Sequence, residues 1–209
     1  LNEFFFEDGV QTPALEPAAD GEIFRRYRQR TYAPVLTEVD LSSATSMGKG
    51  AFIYCDELEK VTVGENLTVI PGYTFTRCKS LKSIVLTNVT ELGEYAFAES
   101  GITEIDLPKI TSIGEYAFSD CYELTKVVLG EEVTSVGNYA FLYCDKLSEV
   151  TSIEKLTDIG DYAFAFTAIT SADLTSAVNV GDHAFIKEEG TEFKLTLGKN
   201  IVTIGENPF

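Results

Sequence analysis

Tryptophan is absent from this 209-residue chain, and histidine and methionine occur once each. The single histidine, His183, removes most zinc sites and every Ser-His or Cys-His nucleophile pair not built on it. Basic side chains are scarce, with 16 Lys and Arg against 33 Asp and Glu and a net charge of -17. Phosphate neutralisation needs clustered Lys and Arg, which argues against nucleic acid as a partner. Four cysteines are too few for a disulfide scaffold. No apolar run approaches the ~20 residues of a membrane-spanning helix, so no integral membrane segment is expected. No D-x-D-x-D-G loop offers converging oxygen ligands, and no metal or cofactor is expected. The opening segment Leu1-Asn2-Glu3-Phe4-Phe5-Phe6-Glu7-Asp8 lacks a basic stretch followed by a long apolar one, and there is no initiator Met. The expectation is a mature or trimmed product whose targeting signal has been removed.

What is present is repetition, which has to be read before local structure. Phe recurs at 52, 75, 97, 118, 141, 164, 185 and 209, at intervals of 21 to 24 residues. Ala precedes six of these at 51, 96, 117, 140, 163 and 184. Four positions before the Phe lies Gly48, Gly93, Gly114, Gly137, Gly160, Gly181 or Gly205, with Pro71 in the remaining unit. One step earlier stands an aliphatic residue or Met, from Met47 to Ile204.

After each Phe comes an L-x-x-V-x-L pattern, as in Leu81-Ile84-Leu86 and Leu124-Val127-Leu129. Two-residue alternation of branched side chains marks a short strand with one buried face. A second short apolar stretch precedes the Gly, as in Ile110-Thr111-Ser112-Ile113. Each unit is therefore one coil of a mainly β solenoid, with two short strands per coil stacked in parallel sheets. Length changes fall at corners, as such a solenoid requires: Leu129-Gly130-Glu131-Glu132-Val133 is one residue longer than Leu107-Pro108-Lys109-Ile110. Gly in the long corner is expected to supply a positive φ.

One unit cannot bury its own apolar face, but stacked units bury each other's. The Phe side chains are expected to form an internal column. Ala before each Phe fits a tight turn. Cys55, Cys78, Cys121 and Cys144 share a slot three residues after a Phe, filled elsewhere by Ser100 and Thr167. A slot that accepts Cys, Ser or Thr points to a small side chain satisfying a corner backbone group as a free buried thiol. A disulfide or a metal cluster is the alternative.

The run Ile113-Gly114-Glu115-Tyr116-Ala117-Phe118, followed by Cys121, Leu124, Val127 and Leu129, resembles the BspA-type (Treponema pallidum-type) leucine-rich repeat. The resemblance extends over residues 36–209 and implies a leucine-rich-repeat-like solenoid of seven to eight coils. It also implies a bacterial surface or secreted protein, in some cases adhesive, and no catalytic residues. The last units depart from the pattern: His183 and Asn207 stand in the Tyr slot and Glu188 in the Cys slot.

Residues 1–35 lie outside the repeat and are read as a separate N-terminal segment. Asp20 to Arg30 reads as a short amphipathic helix, with Asp20 as N-cap and Ile23, Phe24 and Tyr27 on one face. It carries four of the five Arg. A cap over the open end of the solenoid is one reading, and a basic anion or membrane site the other. The chain ends at Phe209 inside a unit, and the expectation is that the array continues or that this end packs against a copy of itself.

Three outward ladders follow from the register, the last of them Thr45, Thr68, Thr90, Thr111, Thr134 and Thr157, which reflects β-propensity more than recognition. Thr62, Val85, Asp106, Val128, Thr151, Asp173 and Thr196 are expected to line the concave sheet as an interaction face. Tyr73, Tyr95, Tyr116, Tyr139 and Tyr162 form a second, open to sugars or explained by repeat packing. Glu94, Glu115, Asp161, Asp182 and Glu206 precede the Tyr slot and read as a solvated face. The expectation is a non-catalytic, surface or secreted scaffold that binds host or neighbouring-cell proteins, with a glycan-binding module as the alternative.

Overall fold

The computed structural model describes residues 35–209. The helix expected between Asp20 and Arg30 lies outside the described residues. The described elements are β1 (Glu38–Leu41), β2 (Lys60–Val63), β3 (Val69–Ile70), β4 (Glu91–Leu92), β5 (Glu104–Leu107), β6 (Ser112–Ile113) and β7 (Lys126–Leu129). They continue as β8 (Ser135–Val136), β9 (Glu149–Thr151), β10 (Asp158–Ile159), β11 (Ser171–Leu174), β12 (Asn179–Val180), β13 (Lys194–Leu197) and β14 (Thr203–Ile204). One 3-10 turn, Ile153–Lys155, follows β9.

The two-residue strands form one parallel sheet in the order β3, β4, β6, β8, β10, β12, β14. Its register aligns Ile70, Leu92, Ile113, Val136, Ile159, Val180 and Ile204, the aliphatic position before the glycine. The longer strands pair in parallel as β1-β2, β5-β7-β9 and β11-β13. Most coils thus contribute one strand to each stack.

The second stack is interrupted twice. Residues 81–86 keep the alternation, with Leu81, Ile84 and Leu86 buried and Val85 exposed, yet form no strand. Bonds at their ends hold them in register, from Ser80 N to Asp56 O (3.1 Å) and from Thr103 N to Lys82 O (3.0 Å). After β9 the chain leaves the sheet at Ser152, whose φ is 61°, and the 3-10 turn packs against β11.

Inside runs the phenylalanine column. Phe75, Phe97, Phe118, Phe141, Phe164 and Phe185 are fully buried, with successive rings from Phe75 to Phe185 stacked 5.1–5.3 Å apart. The column ends with Phe209, which is 44% exposed and 6.3 Å from Phe185. Leu197 and Ile204, on the outer strands β13 and β14, are also exposed.

The glycine expectation needs correction. Gly64 and Gly130, in the long corners, do not have positive φ; among the described glycines only Gly50 and Gly190 do. Gly130 is required instead by close approach, because an added Cβ would lie 2.3 Å from Pro108 O on the preceding coil. The glycine before the Tyr slot serves the same end: a Cβ on Gly114 would lie 2.6 Å from Leu92 O.

The cysteine slot does what its composition implies. None of the four is joined to another in a disulfide, with Cys78, Cys121 and Cys144 buried and Cys55 half-buried. Cys121 Sγ donates to Phe97 O at 3.0 Å, Cys144 Sγ to Phe118 O at 3.1 Å and Cys78 Sγ to Phe52 O at 3.3 Å. These three thiols therefore tie their coils to the preceding corner. Burial pushes the Cys121 thiol up to about 12 and holds Cys78 and Cys144 well above the usual range.

Candidate interaction faces

The residues of the strand ladder take alternate positions on the longer strands, except Val85, whose segment forms no strand. Asp40 aligns with Thr62, Asp106 with Val128 and Val128 with Thr151, and Asp173 aligns with Thr196. Thr62, Val85, Asp106, Asp173 and Thr196 are exposed, and Val128 and Thr151 are half-buried. The two interruptions divide the ladder, so Thr62 and Asp106 have only Val85 between them, and Thr151 and Asp173 belong to separate sheets. Asp40 is a further member, which precedes the first column Phe and so has no complete repeat to mark it.

The tyrosine ladder has a geometry that spacing does not disclose. Tyr73, Tyr95, Tyr116, Tyr139 and Tyr162 stack in sequence at 4.5–5.1 Å, and His183 follows Tyr162 at 4.8 Å. Each also has a left-handed backbone, with φ between 53° and 60°. That conformation costs a residue with a Cβ roughly 1–2 kcal/mol. Stacking on both ring faces offsets the cost, at ~0.5–1.5 kcal/mol per pair. The consequence for ligands is direct: the faces a sugar would use are occupied by neighbouring rings.

The carboxylates before the tyrosines are more than a solvated coat. Asp182 N donates to Asp161 Oδ1 at 2.8 Å, and Glu206 N donates to Asp182 Oδ1 at 2.6 Å. Asn138 opens this chain by accepting from Asp161 N at 2.9 Å. Threonine reinforces another edge: Thr90 and Thr111 each donate both N–H and hydroxyl to the threonine carbonyl one coil back. Ion pairs also link coils, as with Lys126 and Glu149 (2.6 Å) and Lys155 and Glu131.

A further ladder, at the corners, was not anticipated. Tyr54, Arg77, Glu99, Asp120, Tyr143 and Phe166, each two residues after a column Phe, all have left-handed backbones with φ of 54–63°. Backbone bonds join them as successive rungs, Asp120 N donating to Leu142 O and Tyr143 N to Ala165 O. Tyr143 stacks on Phe166 at 5.1 Å, and Tyr122, 51% exposed, donates from its hydroxyl to Asp120 Oδ1 at 2.8 Å. Chemical variety hid this ladder, since no single residue type repeats along it.

A profile of the BspA type leucine rich repeat region matches in six copies over residues 31–125 and 111–209. The chain belongs to the BspA-type leucine-rich repeat family. Members of such repeat families are generally non-catalytic interaction scaffolds. A leucine-rich repeat protein from Eubacterium ventriosum is similar at 21% identity, covering 81% of this chain and 56% of that one, with a TM-score of 0.58. One from Bacteroides ovatus has 19% identity, covers 83% and 63%, and has a TM-score of 0.51. The BspA-type chain thus spans about three-fifths of the length of these solved structures. A leucine rich cell surface protein from Faecalibacterium prausnitzii matches at 17% identity over 72% of this chain and 68% of that one, with a TM-score of 0.35. No curated protein matches. No helix among the described residues is long and apolar enough to cross a membrane.

Proposed function

We propose that this BspA-type chain is a non-catalytic scaffold, secreted or held at a cell surface, that binds a protein of a host or neighbouring cell. One observation carries the reading: within each sheet the parallel register aligns outward side chains, Asp40 with Thr62 and Asp173 with Thr196, in a broken run of exposed positions that also includes Val85 and Asp106. Such a run suits an extended protein surface, and its scattered Asp and Thr fit a polar contact without an aromatic anchor.

The test is a surface binding assay with immobilised extracellular-matrix proteins, comparing the full chain with Asp106→Arg and Thr196→Arg. Saturable binding reduced by both variants is expected. Absence of binding across salt and pH conditions overturns the reading. The glycan alternative draws less support, because the ring faces of the tyrosine ladder are occupied. A glycan array with no hits removes it.

Self-association belongs to the same reading. The outer strands β13 and β14 carry exposed Leu197 and Ile204, which a second copy would cover. Sedimentation velocity at two concentrations tests it, with Ile204→Lys expected to yield the slower species throughout. A wild-type chain that sediments identically at both concentrations removes self-association.

A further inference from the structure

The corner ladder carries an inference that rests on the protein-binding reading but uses none of the strand-ladder residues. We propose that Tyr122, Tyr143 and Phe166, with the Asp120 carboxylate, form a docking site for an arginine-bearing segment of a protein partner.

The first three rungs of the same ladder supply an internal example. The Arg77 guanidinium lies 5.1 Å from the centre of the Tyr54 ring, and its Nε is 3.3 Å from Glu99 Oε2. The Nε makes no directed hydrogen bond, so the Glu99 contact is coulombic. The sequence of chemistries there is aromatic, cation, carboxylate.

The next three rungs read carboxylate, aromatic, aromatic, at Asp120, Tyr143 and Phe166. No Lys or Arg among the described residues pairs with Asp120 or lies over these rings. The anion and the rings are in place, and the cation is what a partner would bring.

Three details favour a guanidinium. Tyr122 and Tyr143 are 51% and 43% exposed, a large aromatic area left to solvent beside a carboxylate. The Tyr122 hydroxyl engages Asp120 Oδ1, and Oδ2 accepts no hydrogen bond from the described residues. A planar guanidinium can stack on a ring while donating to a carboxylate, which the compact ammonium of Lys does less well. Charge complementarity extends further: the charges of Glu99 and Asp145 also bear on Tyr122, and the solenoid is strongly acidic overall.

The experiment uses the full chain and a fluorescein-labelled peptide of Arg alternating with Gly and Ser, followed by anisotropy at about 150 mM salt. A matched Lys peptide is the comparison. Asp120→Asn and Tyr143→Asn are expected to weaken Arg-peptide binding about tenfold each, Asn being a residue that tolerates positive φ. Glu132→Gln removes the same charge from a different corner and is expected to change affinity less than about twofold. Equal losses in Asp120→Asn and Glu132→Gln would reduce the site to general electrostatic attraction and overturn the proposal. So would equal affinity for the Lys peptide, or unchanged affinity in Tyr143→Asn.

A further variant replaces Arg25, Arg26, Arg28 and Arg30 with Gln in the full chain. Unchanged peptide affinity is expected. An increase of about tenfold would identify the chain's own basic segment as the occupant and overturn the assignment to a partner. Because the strand-ladder variants Asp106→Arg and Thr196→Arg leave these residues intact, failure of one face is distinguishable from failure of the other.

Discussion

Tyr116 stacks on Tyr139 at 4.5 Å with the two planes 6° apart, and both residues have left-handed backbones at φ 54° and 58°. The pairing joins an unfavourable backbone to a favourable side-chain contact, so the two effects separate by substitution. Tyr116→Ala loses both stacking partners and keeps the backbone strain, for an expected loss of about 2–4 kcal/mol. Tyr116→Gly loses the stack but relieves the strain, and should be about 1 kcal/mol more stable than the Ala variant. Urea unfolding of the two variants checks the order. A Gly variant less stable than the Ala variant would refute the strain account.

Glycines that look equivalent in the repeat should respond in opposite ways. A Cβ on Gly114 would collide with the backbone of the preceding coil at 2.6 Å, while one on Gly48 meets nothing within 4 Å among the described residues. Gly114→Ala is expected to cost about 2 kcal/mol or more through forced separation of coils. Gly48→Ala should be neutral or gain up to about 1 kcal/mol by restricting the unfolded chain. Thermal melts of both variants decide the matter.

The buried thiols set an alkaline limit on stability. Burial raises Cys121 to about 12, so above the ordinary thiol range the unfolded chain loses a proton that the folded chain retains. The stabilisation from this thiol is complete below about pH 9 and is lost as pH rises towards 12. Burial lowers Lys187 to about 8, with the opposite sign: the folded state gains as pH rises from about 8 towards the usual lysine range. Denaturant midpoints measured from pH 8 to 11 in wild type and Cys121→Ser should converge at high pH if the thiol is responsible. In the folded chain at pH 8, a thiol reagent is expected to modify Cys55 well before the other three.

Added salt should stabilise this protein. Residues 36–209 carry 27 acidic and 12 basic side chains, and the ion pairs between coils are exposed and individually weak. Self-repulsion of the acidic excess therefore outweighs them. Raising NaCl from about 20 to 300 mM is expected to raise the melting temperature by several degrees. A fall would mean that the pairs dominate.

The Phe interval, the aliphatic position before each glycine and the shared Cys, Ser and Thr slot were all legible in the chain. Each marks a place where every coil must solve the same packing problem, and a repeated problem leaves a repeated residue. The corner ladder escaped notice for the converse reason. Its rungs share a backbone conformation, φ near 55–60°, which Tyr54, Arg77, Glu99, Asp120, Tyr143 and Phe166 all adopt without sharing a side-chain chemistry.

The initial scarcities keep their meaning within a repeat whose consensus uses neither Trp nor His, His183 being a lone occupant of the Tyr slot. One-dimensional stacking was written in the periodicity, because coils that bury one another must match in register. Which residues carry positive φ was not. Sequence rules assign it to Gly130, but the approach of neighbouring coils uses that glycine for space and leaves the left-handed turns to tyrosines, whose rings compensate across coils. Whether the tyrosine faces are open to a ligand or closed by neighbours was likewise settled between coils, at 4.5 to 5.1 Å.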